Sequence, residues 1–168
     1  MTENLNKNVS SLDFDNSCDS AGLNGKAMSC NVALASARAA ADKRASDVMV
    51  QDVSELTSET DFFVSVTARN DRQVYAITSE VLDEVRKQCA LKPHHCESAD
   101  SSWQLIDFGS VIVHVFQPNS RERYKIEELW STAPILDVRK FAGFEDVQYS
   151  TRIEELIDNA ENHQISAN

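Results

Sequence analysis

Residues 103–130 read WQLIDFGSVIVHVFQPNSRERYKIEELW, and their pattern decides the architecture. Trp103 to Phe108 and Val111 to Phe116 are two apolar-rich runs separated by Gly109-Ser110. Two such runs joined by two turn-forming residues read as an antiparallel hairpin, and a two-residue loop also sets its register. Phe108 then opposes Val111, Ile106 opposes Val113 and Gln104 opposes Val115. On the other face Asp107 pairs with Ile112, Leu105 with His114 and Trp103 with Phe116. Asp107 and His114 therefore lie diagonally on one face, within reach of long side chains. Pro118 stops the second strand, and a short acidic helix follows around Ile126–Trp130.

Working upstream, DRQVYAITSEVLDEVRKQC carries Val74, Ile77, Val81, Leu82, Val85 and Cys89 at helical spacing on one face. Asn70 caps this helix and Gln73 completes a capping box, while Asp83 stands four residues before Lys87 on the outer side. Two buried strands precede it, VMVQDV at Val48–Val53 and FFVSVT at Phe62–Thr67, joined by the polar turn SELTSETD. Before them NVALASARAAADKRA is dense in strong helix formers from Ser29 onward, with Lys43 and Arg44 favouring its C-terminal end. Residues 1–28, rich in Asn, Ser and Asp, read as a disordered acidic arm. Residues 131–168 read as an acidic tail with a terminal helix, whose stripe is Ile153, Leu156, Ile157 and Ala160. The segment between Lys92-Pro93 and Trp103 reads as a solvated loop. The domain proper is then 29–130.

Composition narrows function. The chain has 168 residues, enough for one domain with its own core. Its formal net charge of -11 disfavours a phosphate backbone, which is neutralised by clustered Lys and Arg, and suits a basic protein partner instead. The four cysteines form no Cys-x-x-Cys pair, no apolar run reaches a membrane span, and the acid-rich N-terminal stretch resembles neither a signal nor a transit peptide. A cytoplasmic location, bacterial before organellar, is the expectation.

Candidate chemistry is sparse. An acid beside an imidazole, Asp107 with His114, has half the parts of a catalytic pair, but no nucleophile stands in motif context, so a structural or binding role outweighs catalysis. His94-His95-Cys96 lacks the spaced pairs of a structural zinc site. With four glycines, at 22, 25, 109 and 143, the chain has no Gly-rich phosphate loop. No metal and no cofactor are expected. Trp103 begins its strand straight after a polar segment, where interface and core roles stand even. Trp130, ending an acidic helix, reads as core.

Three segments in order carry a family resemblance: ADKRASDVMVQDVSEL, TDFFVSVT with DRQVYAI, and WQLIDFGSVIVHVFQP with RERYKIEELW. Together they resemble the ribosomal silencing factors (Iojap-like proteins) over about Ser29 to Trp130. Departures fall in loops and caps: Ala68 and Asn70 stand where the family has Gly and often Ser, Ser98 follows Glu97 in place of Gly, and Ser110 replaces the turn Asp. The resemblance implies an α/β fold, one mixed β-sheet flanked by helices, nucleotidyltransferase-like without the catalytic motif. It implies a non-enzymatic protein that binds the large ribosomal subunit through ribosomal protein L-fourteen, blocks association with the small subunit and represses translation. It further implies partner contact at Trp103, and carries over Asp107, His114, Arg121 and Tyr124 as motif positions. Monomer and homodimer stay open. Competing readings are a large-subunit assembly factor, and a metal-dependent nucleotidyltransferase-type enzyme that would gather Asp52, Asp61 and Asp107 around Mg²⁺.

Overall fold

The computed structural model describes residues 24–166. Its elements in chain order are α1 (Asn24–Asp42), β1 (Ser46–Asp52), β2 (Phe62–Thr67), α2 (Asp71–Cys89), β3 (His95–Asp100), β4 (Trp103–Asp107) and β5 (Val111–Phe116). They continue with α3 (Pro118–Tyr124), α4 (Ile126–Leu129), β6 (Ile135–Leu136), a 3-10 turn (Val138–Lys140) and α5 (Thr151–Ser166). The six strands form one sheet in the order β3-β4-β5-β2-β1-β6. The β2–β5 pair is parallel and every other pair is antiparallel, so the sheet is mixed. This is a single α/β domain.

Strand parity divides the core into two faces. Val48 and Val50, Val64 and Val66, Ile106, and Val111, Val113 and Val115 point to one side and are buried under α1 and α2. Residues Val32–Ala37 of α1 are buried without interruption, because this helix packs against both the sheet and α2. A helix apolar all round is one with no solvated face, and alanine lets its backbone approach both neighbours. α2 presents Val74, Ile77, Val81 and Val85 inward. Asn70 accepts the Gln73 N–H at 2.9 Å, as expected of a cap, while Gln73 Oε1 reaches past the cap to the Arg69 N–H at 2.6 Å. The Gln73 amide also donates to the carbonyls of Lys43 and Arg44, tying the end of α1 to the start of α2. On the outer side Lys87 sits 3.5 Å from Asp83.

The hairpin register holds pair for pair, from Trp103 opposite Phe116 to Asp107 opposite Ile112. Gly109 has φ +86° and Ser110 a negative φ, the pattern of a turn with glycine first. Phe108 N–H donates to Val111 at 2.9 Å, and the Asp107 carboxylate accepts the Gly109 N–H at 2.7 Å. A Cβ at Gly109 would stand 3.0 Å from the His94 ring. Gly109→Ala should therefore destabilise the fold by about 1–2 kcal/mol, chiefly through the left-handed backbone. A urea midpoint equal to the parent's would show that the turn relaxes freely.

Several expectations change. α1 starts at Asn24, so residues 24–28 are helical and not part of a disordered arm; the remainder of that arm lies outside the described residues. His95–Asp100 is not a loop but edge strand β3; the sequence HCESAD has no apolar alternation to betray it, and charged residues such as Glu97 and Asp100 are a common way of guarding a sheet edge. Pro118 opens helix α3 as well as ending β5, since proline suits the first helical turn. Beyond residue 130, β6 pairs with β1, and Ile153 and Ile157 of α5 pack on Met49. Among the described residues no helix is long and apolar enough to cross a membrane.

Candidate functional site

The second sheet face carries Met49 and Gln51 of β1, Phe63, Ser65 and Thr67 of β2, Ile112, His114 and Phe116 of β5, and Trp103, Leu105 and Asp107 of β4. α5 covers its β1 side and α3–α4 its Phe116 end. Over β4, β5 and β2 it remains partly open, leaving Phe63, Trp103, Leu105 and Ile112 half-buried.

Aromatic rings fill this opening. Trp103 lies 5.0 Å from Phe116 and 4.9 Å from Tyr124, ring centre to ring centre. His114 stacks on Phe116 at 5.7 Å and stands 5.6 Å from Phe63, which in turn meets Trp130 at 5.4 Å. Such spacings are those of favourable aromatic pairs. At the rim, Tyr124 is 42% exposed and Leu129 73% exposed. The guanidinium of Arg123 rests 5.4 Å above the Tyr124 ring.

His114 is the polar pivot of the row. Trp103 Nε1–H donates to His114 Nδ1 at 3.1 Å, so the neutral ring carries its proton on Nε2, which is buried without a hydrogen-bond partner. Burial, helped by the charge of Arg121 and opposed by Glu127, pushes the imidazole from its ordinary 6.5 down to about 4. Because the folded pKa is depressed, the neutral form stabilises the fold fully above pH 6.5, and that contribution is lost as pH falls towards 4. The slope is about 1.4 kcal/mol per pH unit, or ~3 kcal/mol across the window. Unfolding free energies of the parent and His114→Phe, compared between pH 7.5 and pH 4.5, should diverge accordingly. Parallel curves would contradict a neutral buried imidazole.

Arg121 and Glu127 are buried under the same helices. Arg121 Nη1 donates to the Asp47 carbonyl at 2.6 Å and to Thr67 Oγ1 at 3.0 Å, with Nε 3.6 Å from Glu127 Oε1. Arg152 of α5 closes on the same carboxylate oxygen at 2.7 Å. The main chain around Glu127 is anchored too: Gln51 Nε2 donates to its carbonyl at 3.0 Å. This network fastens α3, α4 and α5 to the sheet and so sets the height of Tyr124 and Trp130 over it.

Of the residues singled out from sequence, Trp103 meets both His114 and Tyr124, while Arg121 is buried against Asp47, Thr67 and Glu127. Asp107 shares the face of His114 but sits at the far end of β4, its carboxylate spent on the hairpin turn. The two do not form an acid–imidazole pair. The acids of the enzyme reading lie at one end of the sheet yet diverge: Asp52 pairs with Lys26 at 2.9 Å and Asp61 accepts from Ser29 at 2.7 Å. Asp107 stands three strands from Asp52, about 14 Å at the usual strand spacing. Among the described residues no three His, Cys, Asp or Glu side chains converge on a metal position. Phe63, Glu127 and the ring role of Trp130 escaped sequence reading: Phe63 reaches His114 only through the parallel β2–β5 pairing, and Glu127 meets Arg121 and Arg152 only once the helices have packed, neither of which leaves a local mark.

The family model for "Ribosomal silencing factor during starvation" matches residues 26–165. The chain belongs to the ribosomal silencing factor family. The match takes in β6 and α5 as well as the segments quoted from sequence. Similar proteins include the ribosomal silencing factor RsfS of Bacillus subtilis, 35% identical over 103 residues, covering 61% of this chain and 86% of that one. The chloroplastic protein Iojap of Zea mays is 36% identical over 106 residues, 63% of this chain and 46% of its own length. The mouse protein named for mitochondrial assembly of the ribosomal large subunit is 29% identical over 92 residues, 53% of this chain and 40% of its own. Among solved structures, a Chromobacterium violaceum protein matches with a TM-score of 0.56 and 31% identity, over 59% of this chain and 82% of that one. A Bacillus halodurans protein matches at 0.54 and 30%, over 62% and 94%.

Proposed function

We propose that this silencing-factor chain binds the large ribosomal subunit through ribosomal protein L-fourteen, keeps the small subunit from joining and so represses translation in the cytoplasm. It acts by occupancy and not by catalysis. The observation that carries the reading is the half-buried Trp103 ring, set among Phe116, Tyr124 and His114 where the α3 cover ends and the sheet face opens. Large aromatics held rigid on an element and open on one side are typical anchors of protein interfaces. The net charge of -11 favours a basic partner over bare RNA. Trp103 and Tyr124 make the contact; His114 and Arg121 hold them from below, and Asp107 shapes the hairpin.

The test is sedimentation of the purified chain with large subunits, alone and with small subunits in excess. Co-sedimentation with free large subunits, together with a fall in joined ribosomes, is expected. Binding to joined ribosomes as readily as to free large subunits would defeat the reading. The name of the mouse relative favours a second role, in large-subunit assembly. That role would show as preferential recovery on immature large subunits.

A further inference from the structure

Beside Trp103 the surface is indented. A notch of about 190 Å³ is lined by Trp103 and Leu105 of β4 and by Glu97 and Ser98 of β3. Glu97 stands directly opposite Leu105 in the ladder, and the register then slips between Ser98 and Asp100. Such bulges re-aim side chains at sheet edges and next to functional sites. The notch thus has an indole wall, an aliphatic wall and a carboxylate at its rim. Among the described residues Glu97 makes no ion pair, and the β3–β4 stretch His95–Asp107 contributes Glu97, Asp100 and Asp107 but no lysine or arginine.

We propose that this notch receives a single arginine side chain of the protein that docks on the aromatic face, the guanidinium lying against Trp103 and pairing with Glu97. The inference rests on the reading that this face is the docking surface, and adds what the partner must present there. Its volume falls below the ~300–1,000 Å³ usual for small-molecule sites, which points to one protein side chain and not a metabolite. Arginine fits better than lysine because a planar guanidinium stacks on an indole while its N–H fork meets a carboxylate. The same row of rings already holds one guanidinium this way, Arg123 over Tyr124. Phe116 and Tyr124 already pack on the Trp103 ring and His114 takes its N–H, which leaves the notch side for a newcomer.

The probe is the purified large ribosomal subunit, titrated with the full chain at low and high salt. Glu97 is exposed, so Glu97→Gln should fold as the parent does, checked by circular dichroism. It should bind about tenfold more weakly at low salt, with a shallower dependence on salt. Glu155→Gln, an exposed acid of α5, serves as the control for overall charge and should change neither. Trp103→Ala is measured alongside. If Trp103→Ala weakens binding while Glu97→Gln does not, or if Glu155→Gln weakens it equally, the notch is not a receptor. If Trp103→Ala and Glu97→Gln both bind as the parent does, the docking reading itself fails, and the notch with it.

Discussion

Glu127→Ala should cost the fold about 3–5 kcal/mol, although Glu127 sits in a four-residue helix whose next two residues, Glu128 and Leu129, are exposed. The reason is electrostatic. Removing the carboxylate leaves the guanidinium of Arg121 buried near the like charge of Arg152, with the Asp47 carbonyl and Thr67 hydroxyl as its remaining hydrogen-bond acceptors. An uncompensated buried charge is penalised by that order of magnitude. Arg121→Met should be costly for the converse reason, since Arg152 alone then faces Glu127. The double variant Arg121→Met, Glu127→Met should lose less than the sum of the two, because neither charge is left stranded. Equilibrium urea unfolding measures all three. Additive losses, or a Glu127→Ala cost below about 1 kcal/mol, would show that the pair is solvated in solution.

Trp103→Ala carries the second large effect, on binding. Truncating a central aromatic anchor costs ~2 kcal/mol or more, roughly a thirtyfold loss of affinity. The variant should weaken large-subunit binding and relieve the block on subunit joining. Trp103→Phe should recover part of the affinity, since the ring contacts with Phe116 and Tyr124 survive while the hydrogen bond to His114 does not. Circular dichroism and thermal melting must show both variants folded. A folded Trp103→Ala protein that binds as tightly as the parent would make this ring a packing residue only.

The reach of the sequence follows the range of the interactions involved. The hairpin was legible to the residue because a two-residue turn and strand parity are local rules, and they placed His114 and Asp107 on one face correctly. The α2 helix was legible for the same reason, its inward stripe being a matter of spacing. What could not be read are features decided across the fold. β3 is strand only because β4 offers it an edge, and β6 is two residues long. The parallel union of β2 with β5, which brings Phe63 to His114, spans the whole of α2 and two strands. An arginine is the same letter whether buried or solvated, so Arg121 as anchor of the helical cover was invisible until α5 and Glu127 were in place. Exposure of Trp103 and Tyr124 likewise depends on where α3 stops. The resemblance over the three quoted segments pointed to the silencing-factor family, where composition alone suggested only an acidic protein with a basic partner.

If the Trp103–Tyr124 face, and not the helical face, meets the ribosome, probes on the two faces should behave differently. The two exposed tyrosines report on it directly: Tyr124 is 42% exposed on the aromatic face, and Tyr75 is 76% exposed on α2, which covers the other side of the sheet. A photo-crosslinking amino acid placed at each position in turn, in the full chain bound to purified large subunits, makes the comparison. Position 124 should crosslink to a large-subunit protein and position 75 should not; crosslinking from 75 with none from 124 would put the contact on the helical face instead.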